Sequence, residues 1–152
     1  MQLIDTHTHL DFEMFDDDRT QVIARSAAVE PAEQVDPEIV ELLAANDLRV
    51  DEMRPRHYRE FAADGASALD FVFTLSDTAA GEPLPEWPGQ PVTAHWSSPD
   101  PILADGAEWE RKQAFRQVLV ELERRLGIFV NLPFGSLDRM SMKNRLDEIG
   151  GA

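Results

Sequence analysis

One seven-residue segment constrains the fold of this chain more than any other. Residues 69–75, Leu-Asp-Phe-Val-Phe-Thr-Leu, are rich in β-branched and aromatic side chains and carry apolar residues at odd and even positions alike. This pattern is typical of a strand covered on both faces, as in parallel sheets whose crossover helices lie on either side. The segment therefore predicts an α/β protein with a buried parallel sheet.

The segments around this strand alternate between strand and helix patterns. Asp36-Pro37 predicts a helix start, because the Asp side chain can cap the helix and Pro suits its first position. The clearest amphipathic stripe runs from Trp109 to Phe129. This order favours a small three-layer α/β sandwich with parallel pairing. The other predicted elements are strands at 2–5 and 91–96, a long loop at 76–90, and helices at 13–25, 37–46, 107–130 and 136–149, the last capped by Ser136.

The segment 21–27 has two interpretations. Apolar residues at helical spacing favour a helix that continues to Arg25. An extended conformation over 21–27 would instead supply a fourth strand. The helical interpretation predicts a sheet of three strands.

Length and charge limit the classes of function. With 152 residues, 43% of them apolar, we expect one domain over residues 1–152. The formal net charge of −15, from 29 acidic against 14 basic side chains, argues against nucleic acid and anionic membrane surfaces as partners. The sequence has no apolar run of membrane-spanning length and does not begin with a leader pattern, which predicts a cytoplasmic protein.

The chain contains no cysteine. Disulfides, thiolate metal sites and cysteine nucleophiles are therefore excluded. Any chemistry must come from oxygen or imidazole groups, or from a bound ion.

Short motifs are spread over the last three-quarters of the chain. They are Val-Asp-Pro at 35–37, Leu-Asp-Phe-Val-Phe-Thr at 69–74, Ala-Ala-Gly-Glu at 79–82, Trp-Pro-Gly-Gln-Pro at 87–91, Thr-Ala-His-Trp at 93–96 and Pro-Asp-Pro at 99–101. On these motifs the chain, over about residues 27–150, resembles the arsenate reductases built on the low-molecular-weight protein-tyrosine-phosphatase fold. The resemblance implies a four-stranded parallel sheet with an oxyanion site at the carboxyl ends of its strands, and it aligns Asp100 with the general acid of that family.

The beginning of the chain matches a different pattern. Residues 3–12, Leu-Ile-Asp-Thr-His-Thr-His-Leu-Asp-Phe, resemble the start of the TatD-type metal-dependent deoxyribonucleases. This resemblance covers about residues 1–28 and implies that His7 and His9 are metal ligands. The rest of the chain is too short for a barrel of this type, which takes about 250 residues. The sequence therefore looks like a phosphatase-like domain whose first strand-loop-helix unit has been replaced.

The replacement removes the chemistry of the phosphatase family. The C-x5-R loop that supplies nucleophile and oxyanion site in that family is replaced here by residues 6–11, which contain neither cysteine nor arginine. The positions that match the family's redox cysteines are Ser76 and Leu84. Carboxylates crowd residues 11–18, where each would repel a phosphate at about 4 Å by about 4 kcal/mol per charge pair. We therefore expect the region to disfavour oxyanions.

Three functions remain open from the sequence. The first is a pseudoenzyme, inactive in the family reaction, in which Asp100 survives either as a general-acid equivalent or as a simple turn residue. The second is a metal-dependent hydrolase with a weak divalent site at His7 and His9, whose alternative is a pair of histidines on an exposed loop. The third is a non-catalytic binding module with a protein partner. A recombined reading frame without selected function is a further alternative. Ser76 is interpreted as a loop hydroxyl, and His95-Trp96 as packing residues.

Overall fold

Four short parallel strands form the centre of the computed structural model, which describes residues 2–5, 23–48, 50 and 53–151. The strands lie in the order β2-β1-β3-β4, and each neighbouring pair is parallel. The predicted α/β class with a parallel sheet is therefore confirmed. The strands are β1 Gln2–Asp5, β2 Ile23–Ser26, β3 Phe71–Thr74 and β4 Val92–His95.

Helices cover one face of the sheet, and a 3₁₀ turn with a loop covers the other. Alternate side chains of β3 point to opposite faces, so Phe71 and Phe73 join the larger core while Val72 joins the smaller one. The sheet thus lies between two apolar layers. The helices are α1 Pro37–Ala44, α2 Asp77–Gly81, α3 Glu108–Val130 and α4 Arg139–Gly150, and the 3₁₀ turns are Tyr58–Phe61, Pro101–Leu103 and Phe134–Ser136.

The larger core is built around an aromatic cluster. The rings of Phe73 and Trp96 lie 4.1 Å apart, and Phe129 from α3 packs edge-on against Phe71 and Phe73. Edge-on contacts of this kind add to the stabilisation that burial of the rings already gives. Leu146 of α4 is fully buried and completes this layer.

Helix α4 lies tightly against the end of β4 at its last residue, Gly150. A Cβ atom on Gly150 would lie 2.6 Å from the Trp96 ring and 2.7 Å from the backbone oxygen of His95. The Trp96 indole N–H also donates a hydrogen bond to the Leu146 carbonyl at 2.9 Å. The absence of a side chain at Gly150 therefore allows α4 to lie against the end of β4.

The start of α4 is fixed by a carboxylate cap. The Asp138 side chain accepts a hydrogen bond from the Ser141 N–H at 2.8 Å. Hydrogen bonds from the backbone and side chain of Ser141 lower the pKa of the Asp138 carboxyl below its ordinary value. The predicted cap, Ser136, lies instead in the preceding 3₁₀ turn.

The prediction of a helix that continues to Arg25 is wrong. Residues Ile23–Ser26 form strand β2, which pairs with β1 along its whole length from Gln2↔Ile23 to Asp5↔Ser26. The extended alternative is the one observed, and the sheet has four strands instead of three. A short segment with apolar spacing can satisfy either conformation, and pairing with a distant strand decides between them.

Two smaller predictions also need correction. The predicted loop 76–90 contains the short helix α2, which Ser76 caps. The apolar stripe predicted for α3 includes Trp109, but this side chain is 65% exposed. The helix of 23 residues is about 34 Å long, whereas a four-residue strand is about 13 Å long, so the first turn of α3 lies beyond the core.

None of the described helices has the length and apolar content of a membrane-spanning segment.

Candidate functional site

The candidate site lies at the carboxyl ends of β3 and β4. In open parallel sheets, ligands bind beyond these ends, next to the point where the strand order reverses. In this sheet the order reverses between β1 and β3. At β3 and β4 the described residues of this edge are 74–77 and 95–102, and each segment begins with the last residue of its strand.

His95 is held by a polar side chain on each of its ring nitrogens. Its Nδ1 lies 2.9 Å from the Thr74 hydroxyl, and its Nε2 lies 3.3 Å from the Asp77 carboxylate. Parallel pairing places Thr74 opposite His95, and α2 begins at Asp77. The Ser97 hydroxyl donates to the same carboxylate at 3.3 Å. Trp96 is buried as predicted, whereas the His95 side chain is 36% exposed and is held by these hydrogen bonds instead of by burial in the core.

The hydroxyl, imidazole and carboxylate in this chain of hydrogen bonds are the groups of a catalytic triad, but the hydroxyl is not accessible to a substrate. Thr74 is only 6% exposed, so its hydroxyl cannot approach a substrate as a nucleophile. The His95 nitrogen in the position of the general base, Nδ1, faces this buried hydroxyl, while Nε2 faces Asp77. The cluster therefore serves to tie the ends of β3 and β4 to the start of α2.

A buried arginine supports the other side of the same edge. One Nη of Arg125 donates to the carbonyl oxygens of Trp96 and Ser97, both at 3.1 Å, and the other donates to the Gly150 carbonyl at 3.1 Å. The guanidinium also pairs with Glu121 one turn earlier in α3. Arg125 therefore fixes the strand end and the end of α4 in one place.

Ser76 and Asp100 both act as helix caps. The Ser76 hydroxyl accepts from the Ala79 N–H at 3.1 Å, and Asp100 accepts from the Ile102 N–H at 2.9 Å. Asp100 lies exposed at the start of the Pro101–Leu103 turn. Its observed hydrogen bond is therefore the one expected of a turn residue. The proposed general-acid role of Asp100 stays a prediction.

A mostly apolar cavity of about 80 Å³ lies between α1, α3 and the segments that follow β3 and β4. Leu42 and Leu43 line it from α1, and Phe115 and Leu119 line it from α3. The Ser98 hydroxyl oxygen at this cavity is buried and has no hydrogen-bond partner among the described residues.

The predicted metal ligands His7 and His9 lie outside the described residues, as do residues 6–11 and the acidic segment 11–18. Within the ranges that the structure describes, no three His, Asp or Glu side chains come together in a way that could hold a metal ion. The hypothesis of a divalent site at His7 and His9 stays a prediction.

Sequence reasoning missed two residues at this edge, Arg125 and Ser98, and interpreted a third, His95, only as a packing residue. Arg125 lies three residues after Leu122 and four before Phe129, which places it on the buried face of α3. His95 ends a strand at the edge where functional side chains collect. Ser98 carried no local signal, because its burial depends on how α3 packs over the strand ends.

No family model matches the chain, and no curated protein matches it. A thioredoxin-dependent arsenate reductase of Corynebacterium glutamicum is a structural neighbour, with 16% sequence identity and a TM-score of 0.47. The match covers 84% of this chain and 62% of that reductase, so the present chain spans less than two thirds of its neighbour. A likeness at this level does not establish a shared function.

Proposed function

We propose that this chain is a non-catalytic binding domain, a pseudoenzyme of the arsenate reductase and low-molecular-weight phosphatase type. The observation that carries the proposal is the absence of cysteine from all 152 residues. The family that the sequence resembles depends on a thiolate nucleophile, and a hydroxyl or carboxylate in its place does not perform the same attack and release. The chain retains the sequence motifs of the fold but lacks the reactive cysteine.

The contacts at the strand ends support the same conclusion. Thr74 and Asp77 engage both nitrogens of His95, and Ser76 and Asp100 cap helices. A general acid without a nucleophile supplies only one part of a transfer reaction. The polar groups described here therefore serve to hold the edge in shape, as a binding surface requires.

The first test is turnover. Purified protein is assayed with p-nitrophenyl phosphate, and with arsenate in the presence of thioredoxin, thioredoxin reductase and NADPH. An active arsenate reductase serves as the positive control. We expect no turnover above the no-enzyme rate. Turnover that copurifies with the protein and is lost in the Asp100→Asn variant would overturn the proposal.

The second test concerns the partner. A binding domain that retains the surface of an active reductase would compete with that enzyme for a protein partner. We expect pull-down with the immobilised chain to retain such a partner, and excess free chain to release it. Retention that is unchanged by excess free chain would contradict a specific surface.

A further inference from the structure

The solvent-facing side of α3 has the residue spacing of a helix that pairs with another helix. The buried side chains Val118, Leu122 and Phe129 lie on one side of α3. The opposite side carries residues separated alternately by four and three positions, which is the spacing of a helix–helix seam. These residues form the outer ridge of α3, and they are Trp109, Gln113, Arg116, Val120, Glu123 and Gly127.

The outer ridge exposes two large apolar side chains. Trp109 is 65% exposed and Val120 is 62% exposed. A shallow depression of about 420 Å³ surrounds Val120, and its lining is Gln113, Arg116, Gln117, Val120, Glu121 and Arg124. These positions form two overlapping sets with the spacing i, i+3, i+4 and i+7. Four residues in this arrangement form the hole that receives one side chain of a facing helix, so the surface suits a second helix.

The charges of the outer ridge suit a second copy of the same helix. Arg116 and Glu123 have no ion-pair partner among the described residues, and they lie two turns apart, beyond the three- or four-residue spacing at which helix side chains pair. The ion pairs described for α3 involve other residues, namely Arg111–Glu38, Lys112–Glu108 and Arg125–Glu121. In an antiparallel pair of helices, Arg116 of each copy comes close to Glu123 of the other, so symmetry forms two ion pairs.

One antiparallel register places each of these ridge residues opposite another ridge residue. The opposed pairs are Trp109 with Gly127, Gln113 with Glu123, and Arg116 with Val120. The largest side chain of the ridge thus lies opposite the residue that has none. The Gln113 amide can donate to the Glu123 carboxylate, and Arg116 lies within one turn of the same carboxylate. Charge and size are therefore both matched in this register.

We propose that the outer ridge of α3 is a self-association surface, along which two copies of this chain pair antiparallel about a two-fold axis near position 118. The ridge itself has no net charge, so the formal net charge of −15 does not oppose the contact locally. A seam of one helix per copy lies at the small end of protein interfaces, so we expect a weak dimer with a Kd on the order of 100 µM. This association does not depend on the proposed function.

Charge reversal tests the pairing. Sedimentation equilibrium, from about a tenth to about ten times the expected Kd, should show reversible dimers of the unmodified chain. Arg116→Glu and Glu123→Arg should each weaken association at least about tenfold, because like charges then face each other. An equal mixture of the two variants should recover association as a heterodimer, because each copy again meets opposite charges. Thermal unfolding at low micromolar concentration, where the chain is a monomer, shows separately whether each variant folds.

Single cysteines test the register, since the chain has no cysteine of its own. In the proposed dimer the two copies of Gln117 are offset by about 3 Å along the helices, whereas the two copies of Gln113 are offset by about 15 Å. Both glutamines are exposed. A short bis-maleimide should therefore join two copies of the Gln117→Cys variant, and the matched control Gln113→Cys should stay largely unlinked.

Each of these measurements can overturn the inference. If the unmodified chain stays monomeric at the highest concentration, a second copy is not the occupant of this surface. Equal cross-linking of the two cysteine variants, or a mixture of the charge-reversed variants that stays monomeric, would contradict the antiparallel pairing. None of these results bears on turnover, and turnover would overturn the proposed function whatever the state of association.

Discussion

Arg125 offers the sharpest test of what holds the strand ends in place. The residue is 4% exposed, and its guanidinium donates to three backbone carbonyls and pairs with Glu121. Replacement by methionine keeps a long side chain in the same space, so that loss of the polar contacts dominates the effect.

The size of the effect follows from the groups left behind. Breaking a buried ion pair by removing one partner costs about 3–5 kcal/mol. The Glu121 side chain is 33% exposed and regains part of its hydration, and the buried Arg125 Nε has no partner in the native state, so the lower end applies. We therefore expect Arg125→Met to lose about 3 kcal/mol, a large part of the roughly 5–15 kcal/mol that stabilises a typical domain.

Thermal and urea unfolding measure this loss. For a chain of this size, 1 kcal/mol corresponds to roughly 2–4 °C, so Tm should fall by about 6–12 °C. Arg116→Met, on the exposed face of the same helix, is the matched control and should change stability by less than about 0.5 kcal/mol. If the two variants unfold within about 1 kcal/mol of each other, the described contacts of Arg125 do not stabilise the fold and the reasoning fails.

Three further predictions concern other parts of the chain. Gly150→Ala should cost about 1–3 kcal/mol in urea unfolding because its methyl group would clash with the end of β4, whereas Gly135→Ala, with open space around it, should be close to neutral. Asp138→Ala should lower Tm at neutral pH, and the difference should vanish as pH falls through the depressed pKa of this carboxyl, since only its ionised form contributes; a difference that persists below that pH would contradict the assignment. If His7 and His9 form a divalent site, calorimetry should detect Zn²⁺ or Mn²⁺ binding that His7→Ala abolishes.

Local signals in the sequence sufficed for several elements. Asp36-Pro37 specifies a helix start by cap chemistry alone, and α1 begins at Pro37 with the Asp36 side chain accepting from the Glu38 N–H at 2.8 Å. The two-sided apolar pattern of residues 69–75 likewise predicted β3, which is paired on both sides. These features depend on residues close together in the chain, so the sequence pattern contains the necessary information.

Features that depend on contacts between residues far apart in the chain were harder to predict from the sequence. Strand β2 is four residues long, and its conformation is decided by pairing with β1 some twenty residues earlier. The environment of His95 depends on its register with Thr74, and that of Ser98 depends on where α3 crosses the edge. No local sequence pattern specifies which distant residues come together.

By itself, the sequence determined the α/β class, the positions of β3 and α1, and the absence of any thiol chemistry, because each of these follows from side-chain type and spacing. Only the tertiary structure decided that the sheet has four strands, that the polar residues after β3 and β4 bond mainly to one another and to the backbone, and that Ser98 is left unpaired at an apolar cavity. The reason is that hydrogen bonding and burial are properties of pairs of residues, and the pairs at this edge are far apart in the chain.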